Sequence, residues 1–557
     1  MRRAALVLAL VVAVVVPAGP AWARHTEEPG GTVDPVLAQQ LAQAGPGAPV
    51  RAVVVLKAEA KAPEVTSRRQ RDGGVERALR ATAAASQGGV LALLARRRAE
   101  GLVGDVEPLW IVNGIAVAAR PAVIRELAAR RDVREVQPDS TYQAPAAPAA
   151  TTSSTVPPES NVALVNAPAM WDLGYRGQGV VVANLDTGVD AGHPDLAGRW
   201  RGGSNSWYDP NGEHPTTPTD INGHGTATMG VMVGGDAGGT AVGVAPDARW
   251  IAVKVFNDRG AATTTGIHKG YQWLLDPDNN PATNDAPDVV DNSWNQSVAG
   301  CNLTFQPDLR NLRAAGILPV FSAGNSGPTA GTVYSPANLP EAFPVGATDD
   351  ADVVDPSSSR GPSACGQPVT PQVVAPGVNI HTTDLYGLYT EASGTSLAAP
   401  HVAGALALLL GALPDLPADR QAAGLVGGAV DLGPPGGDND YGYGRLDVLA
   451  AYHWLQTVPD FSVAATPATA TVLPGGTATY TVSSTGVNGF TGTVSLSVTG
   501  LPGGATATWA GNPVTAPGSA TLTVRTTTST AKGTFTLRIT GTSGSLSHPV
   551  TVTLTVR

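Results

Sequence analysis

Between Val162 and His453 the chain alternates short, mostly continuous apolar runs with longer helical stretches. The runs read Val180–Leu185, Trp250–Phe256, Val289–Trp294, Ile317–Ala323 and Phe343–Val345. A strand with one wet face alternates polar and apolar residues, whereas one covered on both faces does not. These runs therefore predict an α/β domain: a doubly wound, mostly parallel sheet with helices on both sides. Such a sheet gathers its site at the carboxyl ends of its strands.

Three stretches place reactive side chains at such ends. Val180-Val181-Val182-Ala183-Asn184-Leu185 runs into Asp186-Thr187-Gly188, an apolar strand closed by a carboxylate and a turn glycine. Asn222-Gly223-His224-Gly225-Thr226 opens a helix with a histidine. Gly394-Thr395-Ser396 leads into Leu397-Ala398-Ala399-Pro400-His401 and the apolar run to Leu410. A serine at a helix start exposes its hydroxyl, but it is a poor nucleophile without a base. Histidine takes the proton near neutral pH, and an ionised aspartate fixes its tautomer and steadies the imidazolium. Ser396, His224 and Asp186 are thus read as nucleophile, general base and acid, and orienting carboxylate.

Further motifs fall in order around these three: His193-Pro194-Asp195, Gly243-Val244-Ala245-Pro246 and Ala323-Gly324-Asn325. With them, the region from about Asn161 to Trp454 resembles the subtilisin-type serine proteases, the subtilases. Ser335-Pro336-Ala337-Asn338 and Ser359-Arg360-Gly361-Pro362-Ser363 most resemble the bacillopeptidase F-like branch. The resemblance implies an endopeptidase in which Asn325 donates to the oxyanion beside the Ser396 backbone N–H. It implies extended polypeptide substrates bound between Gly260-Ala261 and Ser293-Trp294. Asn295 replaces the usual glycine after Ser293-Trp294, and Tyr334 replaces a glycine at the pocket floor, which together imply a shallow pocket for small or medium side chains. His401, Asp190 and His193 take structural places. No cofactor is required for the reaction. Asp195 matches a structural calcium ligand, although the loop Gly235–Gly239 lacks the family's central asparagine.

Before this region, residues 34–142 read as strand, helix, strand, helix, strand. The strands are Arg51–Leu56, Leu109–Ala119 and Val133–Gln137; Val75–Ala99 reads as one long helix unless Gly88-Gly89 breaks it, and Pro121–Arg130 as a second. Around Trp110-Ile111-Val112-Asn113-Gly114 this unit resembles the inhibitory propeptide of subtilases, a small ferredoxin-like α+β domain. The resemblance implies an intramolecular inhibitor and self-processing between about Thr141 and Ala147. The expected organisation is a signal peptide over 1–23, the propeptide over 24–143, an Ala/Pro/Thr-rich linker over 144–158, the catalytic domain over 159–456 and a C-terminal unit over 459–557.

Arg2-Arg3, the apolar run Ala4–Val16 and Ala21-Trp22-Ala23 form an export signal with a cleavage site, which predicts secretion and no membrane anchor afterwards. Charged residues are only 14% and the net charge is −10, which argues against a polyanion-binding surface and so against a nucleic-acid partner. In an exported chain the two cysteines, Cys301 and Cys365, predict one disulfide. The Thr/Ser/Val-rich stretch after 459, with period-two alternation as in Thr477–Val482 and Val550–Val556, predicts an Ig-like β-sandwich. A monomer is the expected state.

Overall fold

The structure, a computed structural model, describes residues 30–557 apart from 64, 66, 67, 72, 148–157 and 545. The export signal and most of the linker lie outside the described residues.

The N-terminal unit is a five-stranded sheet of β1 (Thr32–Val33), β2 (Val50–Leu56), β3 (Val103–Leu109), β4 (Gly114–Ala119) and β5 (Val133–Pro138), in the order β1-β5-β2-β4-β3. Alternate residues sort to its two faces. Val54, Leu56, Ile115 and Val117 pack under the helices Pro35–Gln43, Gly88–Ala99 and Pro121–Ala128, while Val53, Val55 and Ala116 join a core shared with the following domain. One expectation is corrected here. Leu109–Ala119 is not one strand: β3 ends at Leu109, β4 starts at Gly114, and a hairpin turn lies between them, where Asn113 takes a left-handed conformation (φ 46°) that asparagine tolerates. Over 75–99 the broken alternative holds: the helices are Gly74–Ser86 and Gly88–Ala99, bent by 54°. At the break the buried Gln87 side chain donates to Leu109 O, Asn113 Oδ1 and Gly114 O, tying the bend to that hairpin turn. A further short strand follows, β6 (Thr141–Gln143).

The central domain carries the expected sheet: seven parallel strands, β7 (Val181–Asp186), β8 (Trp207–Tyr208), β9 (Arg249–Lys254), β11 (Leu-free run Val289–Asn292), β12 (Leu318–Ser322), β13 (Phe343–Thr348) and β14 (Val373–Pro376), with β10 (Ala261–Thr263) standing apart from it. The order is β14-β13-β12-β11-β7-β9-β8. Both faces are dry. Val182, Trp250, Ala252, Val289 and Val320 point to the side of the helices His224–Val233 and Thr395–Ala412. Ala183, Leu185, Ile251, Val290 and Phe321 point to the side of Thr264–Leu275 and Gln306–Ala314. The chain reverses direction across the sheet between β7 and β11, so the ends of these two strands flank a crevice. The Thr395–Ala412 helix is apolar all round because it is buried all round, through Leu410. Cys301 and Cys365 are disulfide-bonded across 64 residues, a closure worth about 4 kcal/mol in chain entropy.

After the last helix, Val448–Thr457, come two further sheets. Four antiparallel strands (Asp460–Thr466, Thr477–Val487, Gly518–Arg525, Thr506–Ala510) face five others (Thr469–Val472, Leu546–Val556, Gly533–Ser543, Thr493–Thr499, Val514–Thr515). Tyr480, Val482 and Leu522 from one sheet and Leu537, Ile539 and Leu554 from the other form one core.

Candidate active site

Asp186 is the last residue of β7 and is fully buried. Its Oδ1 accepts from the Thr187 N–H, and the Thr187 hydroxyl accepts from the Gly225 N–H at 2.9 Å. The strand end is thereby fastened to the start of the next helix. A Cβ at Gly225 would come within 2.1 Å of the Gly188 carbonyl oxygen, so only glycine allows this approach. The helix itself is capped from outside: Asp220 accepts from the Gly223 and Thr226 N–H groups at 3.1 and 3.0 Å. His224, its first residue, consequently meets Asp186, with Nδ1 2.9 and 3.0 Å from the two carboxylate oxygens. Burial opposes charging this imidazole, but the charge and hydrogen bond of Asp186, with the charge of Asp220 behind, hold its pKa above the ordinary 6.5. Nε2 is buried and has no partner among the described residues.

Ser396 is the second residue of the Thr395–Ala412 helix. Gly394 precedes that helix at φ 140°, a conformation other residues rarely adopt, and a Cβ there would press on the Asn325 amide at 3.0 Å. Ser396 Oγ donates to the Ser293 carbonyl at 3.1 Å. Asn325 Oδ1 accepts from both the N–H and the hydroxyl of Thr395 at 2.9 Å. Its acceptor end is thus engaged, which turns the donor end of the amide outward. His401, by contrast, is sealed away: Nδ1 donates to the Leu397 carbonyl at 2.7 Å and Nε2 accepts from the Asn161 amide at 2.8 Å. Burial pushes its pKa down to about 4.

His224, Asn325 and Ser396 line one cleft of about 290 Å³, together with Pro145, Ala146 and Ala147. The chain reaches it as an added strand. β6 pairs antiparallel with β10, Gln143 opposite Ala261 and Tyr142 opposite Ala262, and the Ala144 N–H donates to the Gly260 carbonyl at 2.7 Å. The Tyr142 ring packs edge-on to Phe305, its centroid 6.0 Å away, and its hydroxyl lies 3.2 Å from the Thr264 hydroxyl and accepts from the Gln296 amide at 3.3 Å. Residues 145–147, expected as part of the linker, line this cleft beside His224 and Ser396, and the bond of Ala144 to Gly260 continues the strand pairing up to them.

The profile described as the Subtilase family matches residues 177–444. Subtilisin DY of Bacillus licheniformis is 34% identical over 303 residues, 54% of this chain and 99% of its own length. The chain belongs to the subtilase family. Bacillopeptidase F of Bacillus subtilis (strain 168) is 36% identical over 417 residues, covering 69% of this chain, which spans only 28% of that protein. The subtilisin-like protease PopC of Myxococcus xanthus (strain DK1622) is 35% identical over 305 residues, 52% of this chain and 62% of that one. As a subtilase it is a serine-type endopeptidase.

Other positions take less expected forms in this subtilase. Trp294 is buried in an aromatic cluster with Phe305 and Phe321. Tyr334 is half-buried. Asn295 does not take a left-handed conformation; the residue that does is Ser297 (φ 52°). The Asn295 amide nitrogen lies 2.9 Å from where a Gly324 Cβ would stand, so this side chain packs against the Asn325 turn. The Asp195 carboxylate, which the resemblance matches to a calcium ligand, accepts from the Ala237 N–H at Oδ1 and from the Tyr389 hydroxyl at Oδ2, both at 2.7 Å. Elsewhere Asp276, Asp278 and Asp285 bring carboxylate oxygens within 4.8 Å of one another. The Arg80 guanidinium of the N-terminal unit already sits there, donating to Asp276 and Asn279 at 2.7 Å.

Two residues that govern the site carry no motif. Lys254, ending β9 with a fully buried side chain, donates through Nζ to the Thr187 carbonyl at 2.7 Å and pairs with Asp258 at 3.2 Å. Asp291, on β11, has Oδ2 2.9 Å from the Ser293 hydroxyl oxygen and is fully buried. A lysine closing an apolar strand and an aspartate inside a strand run were the only sequence signals of either.

Proposed function

We propose that this subtilase is a secreted endopeptidase made as a zymogen, whose residues 24–143 form an inhibitory propeptide that it removes itself. Ser396 attacks the scissile carbonyl. His224 takes the hydroxyl proton and returns it to the leaving amine, while Asp186 keeps Nδ1 protonated and steadies the imidazolium. The Asn325 amide and the Ser396 N–H receive the oxyanion, and such a side-chain donor contributes about 10²–10³ in kcat. Acylation releases the amine product, and water then attacks the acyl-enzyme by the same base, regenerating Ser396.

The observation that carries this reading is the path of residues 141–147. They lie on β10 as a substrate strand would and end beside Ser396. Other contacts support an inhibitor that binds its own enzyme. The Gln272 side chain accepts from the Trp110 N–H at 2.7 Å, and the Asn311 amide donates to the Ile111 carbonyl at 2.7 Å. Arg68 and Arg71 pair with Asp288, at 2.9 and 3.3 Å, at the far end of the sheet.

With Tyr142 placed four residues before Ala146, the subsite against Phe305 takes an aromatic side chain, and the Asn295 side chain narrows the pocket next to the scissile bond. Peptide-library profiling tests this: the expected preference is small or medium at the bond and aromatic upstream. Strong selection of Phe or Tyr immediately before the bond would overturn it.

A further inference from the structure

Ser293 Oγ stands between two acceptors. Asp291 Oδ2 is 2.9 Å away and the Ser396 carbonyl oxygen 3.1 Å. A serine hydroxyl has one proton to donate. With Asp291 as a carboxylate, two bare acceptors would compete for it. The Ser396 carbonyl also has no helical donor to fall back on, because the residue four positions on is Pro400, which lacks an N–H.

The surroundings of Asp291 are equally poor for an anion. The residue is fully buried, and Oδ1 has no donor among the described residues. In register with it on β7 is Asn184, whose Oδ1 is also without a donor. The charged and titratable groups facing it are Asp186 from β7 and His224 from the helix above. A second carboxylate here would repel the first in a site of low dielectric.

We propose that Asp291 is held as a neutral carboxylic acid and positions Ser396 through Ser293, with Asp291 Oδ2–H donating to Ser293 Oγ and Ser293 Oγ–H donating to the Ser396 carbonyl. Ser293 then holds the nucleophile at both ends, since its own carbonyl accepts from Ser396 Oγ at 3.1 Å. Burial first, and then the charge of Asp186, push the Asp291 carboxyl up to about 8 against the pull of the Ser293 hydroxyl and His224. Above that pH Asp291 ionises, the Ser293 proton turns to the carboxylate, and the Ser396 carbonyl is released. This inference rests on Ser396 being the nucleophile.

The test is kcat and KM of the mature enzyme on an internally quenched peptide from pH 6 to 10, for wild type, Asp291→Asn and Asp291→Leu. Wild type loses kcat above about pH 8 with KM unchanged. Asp291→Asn, whose amide donates to Ser293 Oγ at every pH, lowers kcat about threefold and removes the alkaline fall, while Asp291→Leu lowers kcat about tenfold throughout, the loss of one hydrogen bond. A wild-type kcat flat to pH 10, or the same alkaline limb in Asp291→Asn, overturns the proposal. Infrared difference spectra of the Ser396→Ala chain provide a readout independent of turnover. The carbonyl band of a protonated carboxylic acid at pH 7 disappears on adding Asp291→Asn; its absence from the parent contradicts the proposal. If wild type cleaves nothing while that band is present, the protease reading has failed and the protonation state of Asp291 has not.

Discussion

Lys254 Nζ donates to the carbonyl of Thr187, the residue that follows Asp186, at 2.7 Å, from a side chain wholly excluded from water. The charge at the end of β9 thus fixes the turn at the end of β7. Replacing it with Met leaves the Thr187 carbonyl without its donor and strands part of the Asp258 charge. Lys254→Met is expected to lose about 2 kcal/mol of stability, as when a buried acceptor loses a charged donor. Urea unfolding in the Ser396→Ala background measures this. A loss below about 0.5 kcal/mol would show that the turn holds without it.

His224 must be neutral to act as a base, and its pKa is raised above 6.5. The acid limb of kcat/KM is therefore expected above pH 6.5, with activity rising through it until the alkaline fall set by Asp291 above about pH 8. Asp186→Asn removes the largest raising influence and should lower kcat on the order of 10³–10⁴-fold while moving that limb to lower pH. The stability that His224 draws from Asp186 is fully present below pH 6.5 and is lost as pH rises through the raised value. A limb at or below pH 6 in wild type would contradict the placement of His224 against Asp186.

His401 works in the opposite direction. Its folded pKa is pushed down to about 4 while the unfolded chain titrates near 6.5. Its contribution is present above pH 6.5 and is lost as pH falls toward 4, amounting to roughly 3 kcal/mol for the whole interval. Thermal unfolding of Ser396→Ala between pH 7 and pH 4 should show this loss. His401→Gln, which cannot take a proton, should flatten the dependence, and an unchanged slope would refute the assignment.

The Cys301–Cys365 bond closes 64 residues. Changing both cysteines to serine is expected to cost about 4 kcal/mol at most, with the fold retained. Equal unfolding midpoints for the two chains would show that the bond adds nothing.

Much of this was legible in the residues because it repeats a local rule. Continuous apolar runs gave the strands of the parallel sheet, and Asp186, His224, Ser396 and Asn325 sit at strand ends and helix starts as their flanking glycines predict. Other features depend on partners distant in sequence. Asn113 turns one expected strand into a hairpin, and Gln87 bends one helix into two through bonds to that turn. Asp195 carries the motif of a metal ligand, but its bonds to the Ala237 N–H and the Tyr389 hydroxyl join segments distant in sequence. Residues 144–147 have linker composition, but an open strand edge lies beside them. Asp291 stands between Val290 and Asn292 in no motif of its own, and its meaning comes from Ser293, Pro400 and Asp186, which the fold alone assembles.

The most direct measurement is expression of wild type and Ser396→Ala side by side, with N-terminal sequencing of the purified products and a casein assay. The account predicts that wild type starts at a residue between 141 and 158 and cleaves casein, while Ser396→Ala keeps its N-terminal unit and is inert. Identical processing of both chains would contradict self-maturation, and casein cleavage by Ser396→Ala would contradict Ser396 as the nucleophile.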